Sequence, residues 1–299
     1  MAKTPEQRQR ERAARQREHE SYLEFLGAME TGLDKASGAG RTVEERRMLA
    51  GELCAVATEC DDAIDALSLG LRAVRLDPGC LDARVLLALA AGGPQDELIE
   101  ELQEIVSVGE QRLGAAYFQE NRGEFWGLLE TRPYMRARAR LADELRAAGR
   151  MEETVAHYEG MLELNPNDNL GLRYLLLGCY LEQGSLVGAR RLFKEYDEDG
   201  AIFDWGRVLE RYLAGDLPGA AHALGRARKS NLHVEPFLTG KKKPPRRMPD
   251  LYQHGAISEA VVCWRELGPA WKRNRDALAW LKGEHGSGYL EPQAKDGIK

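Results

Sequence analysis

The stretch MEETVAHYEGMLELNPND, residues 151–168, decides how the rest of the chain is read. Gly149 stands just ahead of it, where a helix that is ending needs a residue free to take positive φ. Val155, Tyr158 and Leu162 then recur on one face of a 3.6-residue period, as they must to pack against a preceding helix. Pro166 closes the segment, because proline cannot continue a helix. The expectation is a pair of antiparallel helices running from about 135 to 168.

The arrangement recurs on both sides. From about Gly171, the residues Tyr174, Leu177, Gly178 and Leu181 mark a first helix, Gly184 the turn, and Leu186, Ala189 and Phe193 the packing face of a second. Trp205, Val208, Leu209 and Tyr212, then Gly215, then Ala221 and Leu224, repeat it. Gly149, Gly184 and Gly215 are thus about one repeat length apart, the mark of stacked helix pairs. Upstream, 62–78 with AVRLDP at 73–78 reads as another second helix, its first helix spanning about 43–58. Residues 81–91 and 95–108 make a less regular pair. In 109–134 the period lapses, and Thr131 and Pro133 stand at the N-cap and near the first helical position of the next helix. This reads as a bend inside one array.

The 299 residues carry a net charge of −6, with 43% hydrophobic, 30% charged and 7% aromatic residues. That is a globular composition with material for a sizeable core, rich in helix formers and without alternating β-branched runs. No stretch approaches the roughly 18 to 20 apolar residues of a membrane helix, and residues 1–20 are charged rather than signal-like, so secretion and membrane association are not expected. Cys54, Cys60, Cys80, Cys179 and Cys263 are odd in number and form no CxxC. They read as ordinary small core or surface residues of a reducing cytosol.

The units beginning near Met135, Gly171 and Ile202 resemble tetratricopeptide (TPR) repeats, with Tyr174, Leu177, Gly178 and Leu181 standing where the W-x2-L-G-x2-Y pattern stands. The likeness covers roughly residues 43–227. More narrowly, FW at 125–126, ETRPYMR at 130–136 and LNPNDNLGLRYLL at 164–176 resemble bacterial TPR proteins grouped with the suppressor-of-tumorigenicity-7-like family. That resemblance implies a helical-repeat scaffold with no established catalytic activity; the chain departs from the eukaryotic members in lacking a membrane segment. The expected fold is all-α, a TPR-like helical-hairpin solenoid with an N-terminal charged helix or arm at 1–40. The repeat array occupies 41–231, clearest at 135–231, and a basic, proline-containing loop follows at 232–254. A pair of capping helices (257–267 and 271–281) within 255–283 covers the last repeat, since an exposed apolar end would associate, and 284–299 is a disordered tail.

No GxSxG, HExxH, P-loop or Rossmann glycine pattern occurs, and the six histidines are dispersed without forming an i, i+3 or i, i+4 pair with one another. Glu152-Glu153 and Asp61-Asp62 each open a helix, where the dipole favours negative charge. No catalytic residue, cofactor or metal is implied, and the chain is read as a non-enzyme. The TPR resemblance implies a groove lined by the first helix of each repeat. There Arg136, Arg140 and Asp143 share a face at i, i+4 and i+7. They either grip a carboxylate or phosphate through forked bonds or form a solvated face with internal pairs such as Arg140 with Glu144. Arg173 sits in a helix that is apolar almost all round, next to Tyr174. Buried alone it would cost about 3 kcal/mol or more, so a carboxylate is expected beside it, from Asp143, Glu144 or a ligand. The lysine and asparagine pattern of chaperone-binding TPR domains is not reproduced.

Two basic stretches remain, Arg8 to Arg17 and the tract Lys241, Lys242, Lys243, Arg246 and Arg247, flanked by Phe237 and Tyr252. Neither has the aromatic interleaving of single-strand binders, and the two aromatics are expected to anchor the loop. The preferred reading is a cytoplasmic interaction scaffold holding a protein or peptide partner on its concave face through Arg136, Arg140, Asp143, Arg173 and Tyr174. The alternative is a nucleic-acid-associated protein using the N-terminal arm and the 241–247 tract.

Overall fold

The computed structural model describes residues 42–196, 198–249 and 251–283. The arm expected at 1–40 and the tail at 284–299 lie outside them. Among the described residues all regular structure is helical, and the fold is an all-α array of TPR-like hairpins. The chain divides after Arg150 into two compact units, so the two helices of the pair expected at 135–168 fall one in each.

In the first unit, α1 (Val43–Glu59) starts at a reciprocal cap: the Thr42 hydroxyl accepts from the Glu45 N–H at 3.2 Å, and the Glu45 carboxylate accepts from the Thr42 N–H at 2.7 Å. α2 (Ala63–Leu76) is capped by Asp62, which accepts from the N–H groups of Ile64 and Asp65. Leu49, Leu53 and Val56 of α1 join Ala66, Leu69 and Ala73 of α2 in one cluster. α3 (Leu81–Ala91) and α4 (Gln95–Leu113) form the next hairpin, with α4 outrunning its expected end at 108. After α5 (Ala115–Glu120) and a single 3-10 turn, α6 (Arg132–Ala147) packs against α4 and α3. Thr131 occupies the N-cap position but does not cap. Its backbone is helical rather than extended, and its buried hydroxyl donates backwards to the Phe125 and Leu128 carbonyls. This holds down the loop that seats Phe125 against Phe118 and Tyr134.

In the second unit, α7 (Met151–Leu164) packs on α8 (Leu172–Gln183). Two hairpins follow: α8 with α9 (Leu186–Glu195), and α10 (Ala201–Leu213) with α11 (Leu217–Ser230). They turn at Gly184 and Gly215, whose φ values of 74° and 75° suit glycine. The first helices α8 and α10 lie close because Gly206 has no Cβ; one there would sit 2.8 Å from a Leu177 methyl. Ala221 is exposed, and the packing face of α11 is Ala220, Ala223, Leu224 and Ala227.

The stretch expected as a loop from 232 to 254 contains a short helix, α12 (Val234–Leu238), which buries Val234, Phe237 and Leu238. The two C-terminal helices also differ from expectation. α13 (Ile257–Arg273) runs through Pro269 instead of stopping at Leu267, and α14 (Arg275–Lys282) follows at Asn274. A proline inside a helix costs about 3 kcal/mol, but continuing the helix buries Leu267, Ala270 and Trp271 completely. Each large side chain so buried contributes roughly 1.5–3 kcal/mol. Nor does α13 merely cover the last hairpin. It packs against α8 and α10, the first helices of both hairpins, and against α12.

Candidate functional site

Two of the nominated groove residues of the first unit are bound internally. Arg136 makes a forked pair with Asp82 of α3, its Nε 2.9 Å from Oδ1 and its Nη2 on Oδ2. The hydrogen bond to Asp82 raises its pKa and keeps it charged. Arg140 closes on Glu144 one turn along α6. Asp143 is exposed on α6. The internal pairing foreseen as the alternative for Arg140 is present.

Arg173 does have carboxylate partners, but they are Asp168 and Glu198 rather than Asp143 or Glu144. Its Nη1 lies 2.8 Å from Asp168 Oδ2, and its Nε and Nη2 face the two Glu198 oxygens at 3.0 and 3.1 Å. Nη2 also donates to the Tyr174 hydroxyl, and the guanidinium lies over the Tyr174 ring. The Asn165-Pro166 turn explains the choice. It puts Asp168 at φ 47°, from where its carboxylate accepts from the N–H groups of Leu172 and Arg173 and caps α8. Burial pushes the Asp168 carboxyl up against the pull of those donors. Burial likewise raises the Tyr174 hydroxyl, which therefore stays protonated at neutral pH. Arg173 and Tyr174 thus form a satisfied structural knot.

The first-helix side of this unit is also occupied, because α13 packs there. Its Glu259, 3% exposed, accepts from Asn231 Nδ2 (2.9 Å), Gly255 N–H (2.8 Å) and Ala201 N–H (3.3 Å), and faces His254 Nδ1 at 2.9 Å. The crevice left beside it, bordered by Tyr174, Glu198 and Tyr252, measures about 10 Å³ and has room for one water molecule. Burial alone would raise the Glu259 carboxyl, but the hydrogen bonds outweigh it and its pKa lies below the usual 4.5. A depressed carboxyl contributes stability that is complete above the unfolded value and is lost as pH falls through the folded one. Thermal unfolding of wild type should therefore fall more steeply below about pH 4.5 than that of Glu259→Gln. Parallel Tm-against-pH curves would show that Glu259 adds nothing.

In the basic tract, Lys241, Lys242, Lys243, Arg246 and Arg247 are all exposed. The Lys242 N–H donates to the Pro236 carbonyl at 2.8 Å, and its ammonium lies 5.0 Å from the centre of the Phe237 ring. Phe237 is buried and anchors the tract, as expected; Tyr252 is exposed and stands edge-on to His254.

Sequence reasoning missed a larger basic surface. Arg190 and Lys194 of α9, Arg207 and Arg211 of α10, and His222 and Arg226 of α11 line one cleft of about 570 Å³. The one acid that lines it, Glu210, is 3% exposed and holds Arg190 at 2.6 Å and Arg211 at 3.7 Å, while Asp216 pairs with Arg211 at 3.1 Å and Asp204 with Arg207 at 3.6 Å. Arg207 is stacked over Phe193 and Phe203. Lys194 and Arg226 are exposed with no ion-pair partner among the described residues. The signal was available as a basic or histidine pair at i, i+4 on three consecutive helices. Neighbouring like charges on a helix are unfavourable by about 0.2–0.5 kcal/mol a pair, and Arg190, Arg207 and Arg211 offset this through their carboxylate partners. Among the described residues no three His, Cys, Asp or Glu are placed to hold a metal, and no helix is long and apolar enough to cross a membrane.

No curated protein matches the chain. Residues 145–201, which span α7, the Asp168 turn, α8 and α9, match the tetratricopeptide-repeat family, and the chain therefore contains a TPR repeat.

Proposed function

We propose that the chain is a non-enzymatic protein-interaction scaffold whose second unit receives an acidic segment of a partner protein in the cleft between α9, α10 and α11. The observation that carries this reading is the convergence of five Arg or Lys side chains and His222 on one concavity with a single buried acid. Three of the cations are held in place, Arg190 by Glu210, Arg211 by Asp216 and Glu210, and Arg207 by Asp204 and aromatic stacking, so little ordering cost remains when an anion arrives. TPR repeats generally mediate contacts between proteins, and the likeness to the suppressor-of-tumorigenicity-7-like group supports a scaffold without chemistry of its own. The partner is assigned to this cleft rather than to the first helices because α13 packs on α8 and α10. A peptide is favoured over nucleic acid because, among the described residues, no open pair of aromatic rings offers a base a stacking platform.

The test uses a fluorescent dodecapeptide rich in Asp and Glu, its Asn/Gln counterpart and a single-stranded DNA 20-mer, titrated with the full chain. The acidic peptide should bind, weaken with salt, and lose about tenfold or more in affinity, roughly 1.4 kcal/mol, on Lys194→Glu with Arg226→Glu. Equal binding of the amide peptide, or indifference to the two reversals, overturns the assignment. DNA binding abolished by neutralising Lys241 to Lys243 would instead favour the nucleic-acid reading.

A further inference from the structure

The cysteines, scattered in sequence, are not all scattered in space. Cys54 of α1 and Cys80, immediately before α3, are 26 residues apart in the chain, and their Sγ atoms lie 3.4 Å apart. That is sulfur–sulfur contact, about 1.4 Å beyond a bonded length of roughly 2.05 Å. The two thiols differ in setting. Cys54 is 5% exposed within the α1–α2 core, whereas Cys80 is only partly buried and sits at the N-cap of α3, an 11-residue helix.

The turn that presents Cys80 is fixed from three sides. The Cys80 N–H donates to the Asp77 carbonyl at 2.9 Å, the Asp77 carboxylate accepts from the Gly79 N–H at 3.1 Å, and Arg112 of α4 reaches both the Asp77 carboxylate and the Gly79 carbonyl. Cys80 is therefore held against Cys54. The hydrogen bond between the two sulfurs lowers the Cys80 pKa, against burial and with help from the Ala83 N–H; Asp82 and Asp77 oppose it. The same bond, together with burial, raises Cys54, which stays a thiol; Arg136 pulls weakly the other way. One sulfur is thus the better nucleophile and only partly buried, and the other is a protonated neighbour in contact with it.

We propose that Cys54 and Cys80 are a modification site, a dithiol that a peroxide converts to an intramolecular disulfide, with Cys80 reacting first. In the first step the Cys80 thiolate attacks one oxygen of hydrogen peroxide. The S–O bond forms, the O–O bond breaks, hydroxide leaves, and Cys80 becomes a sulfenic acid. In the second, Cys54 gives up its proton and its sulfur attacks Cys80. The S–S bond forms, the S–O bond breaks, and the departing hydroxide takes the proton as water. Two thiols lose two electrons in all, and peroxide is reduced to two waters. The disulfide would tie α1 to the start of α3 across the α2 hairpin.

The full chain, reduced and then treated with hydrogen peroxide, is alkylated under denaturing conditions, digested without reductant and mapped by mass spectrometry. A linked pair of peptides containing Cys54 and Cys80, two hydrogens lighter than the free peptides, is expected, with buried Cys179 and Cys263 remaining alkylated. Cys54→Ser should stop Cys80 at a sulfenic acid that dimedone traps, and Cys80→Ser should leave Cys54 as unreactive as Cys263. Full alkylation of Cys54 and Cys80 after peroxide means that the contact is packing alone and overturns the proposal. Linkage of either to Cys60, or between chains, overturns it too. Oxidation of Cys54 at the wild-type rate in Cys80→Ser overturns the order of reaction. The wild-type map decides the matter even if a serine variant fails to fold.

Discussion

Trp271→Ala is expected to lower the stability of the second unit by about 3–5 kcal/mol, the range for removing a fully buried large aromatic side chain. Trp271 is 0% exposed on α13, the helix that packs against α8 and α10. The chain has two compact units, so the measurement is a urea titration followed by a probe confined to the second, since one two-state curve for the whole chain would mislead. Trp271→Phe keeps most of the apolar volume and should lose less than half as much. A loss under about 1 kcal/mol for the alanine variant, against that range, would mean that α13 is loosely held. The first-helix face would then be open to a partner after all, and assigning the partner to the basic cleft would lose its premise.

Asp168→Ala should cost the same unit about 3 kcal/mol through three separable losses. Alanine is strained at φ 47° by about 1 kcal/mol. The cap on the Leu172 and Arg173 N–H groups is worth about 1 kcal/mol more. Half of the carboxylate pairing around Arg173 goes too, and that guanidinium is only 17% exposed. Glu198 keeps Arg173 from being stranded, which holds the total below that of an abandoned buried charge. Asp168→Asn tolerates the backbone and keeps a capping oxygen, so it should lose only about half as much. Equal losses in the two variants would place the whole effect in the charge, and no loss in the asparagine variant would place it in the turn.

The features legible in the chain were those with a local mechanism. Gly184 and Gly215 sit where helix pairs must turn, Asp62 where a helix must start, and Pro166 where one must stop. Each acts through the backbone of residues within one turn of itself. A buried arginine needs a carboxylate, so that Arg173 is paired could be foreseen; which carboxylate depends on how the Asn165-Pro166 turn aims Asp168. The basic cleft was hidden for a different reason. Arg190, Arg207 and Arg226 lie on three helices, and spacing within one helix says nothing about which faces converge. That one helix continues past Leu267 and through Pro269 was not legible because what favours it, the burial of Trp271, is made by α8 and α10 rather than by neighbouring residues. Cys54 and Cys80 show no motif because their meeting is made by the α1–α2 hairpin and the turn that Arg112 fastens.

The packing of α13 on α8 and α10 also orders events in time. A repeat array is ordinarily finished locally, each hairpin docking on the one just made. Here the face of α8, which begins at Leu172, is not covered until a helix beginning at Ile257 arrives, about 85 residues later. During synthesis at some 5–20 residues per second, that apolar face stays bare for several seconds after the hairpins have emerged. Closing so long a loop slows the last step of folding relative to a purely nearest-neighbour stack. The second unit matures only once α13 has emerged, and a ribosome stalled before residue 257 would display a repeat surface that the folded unit covers.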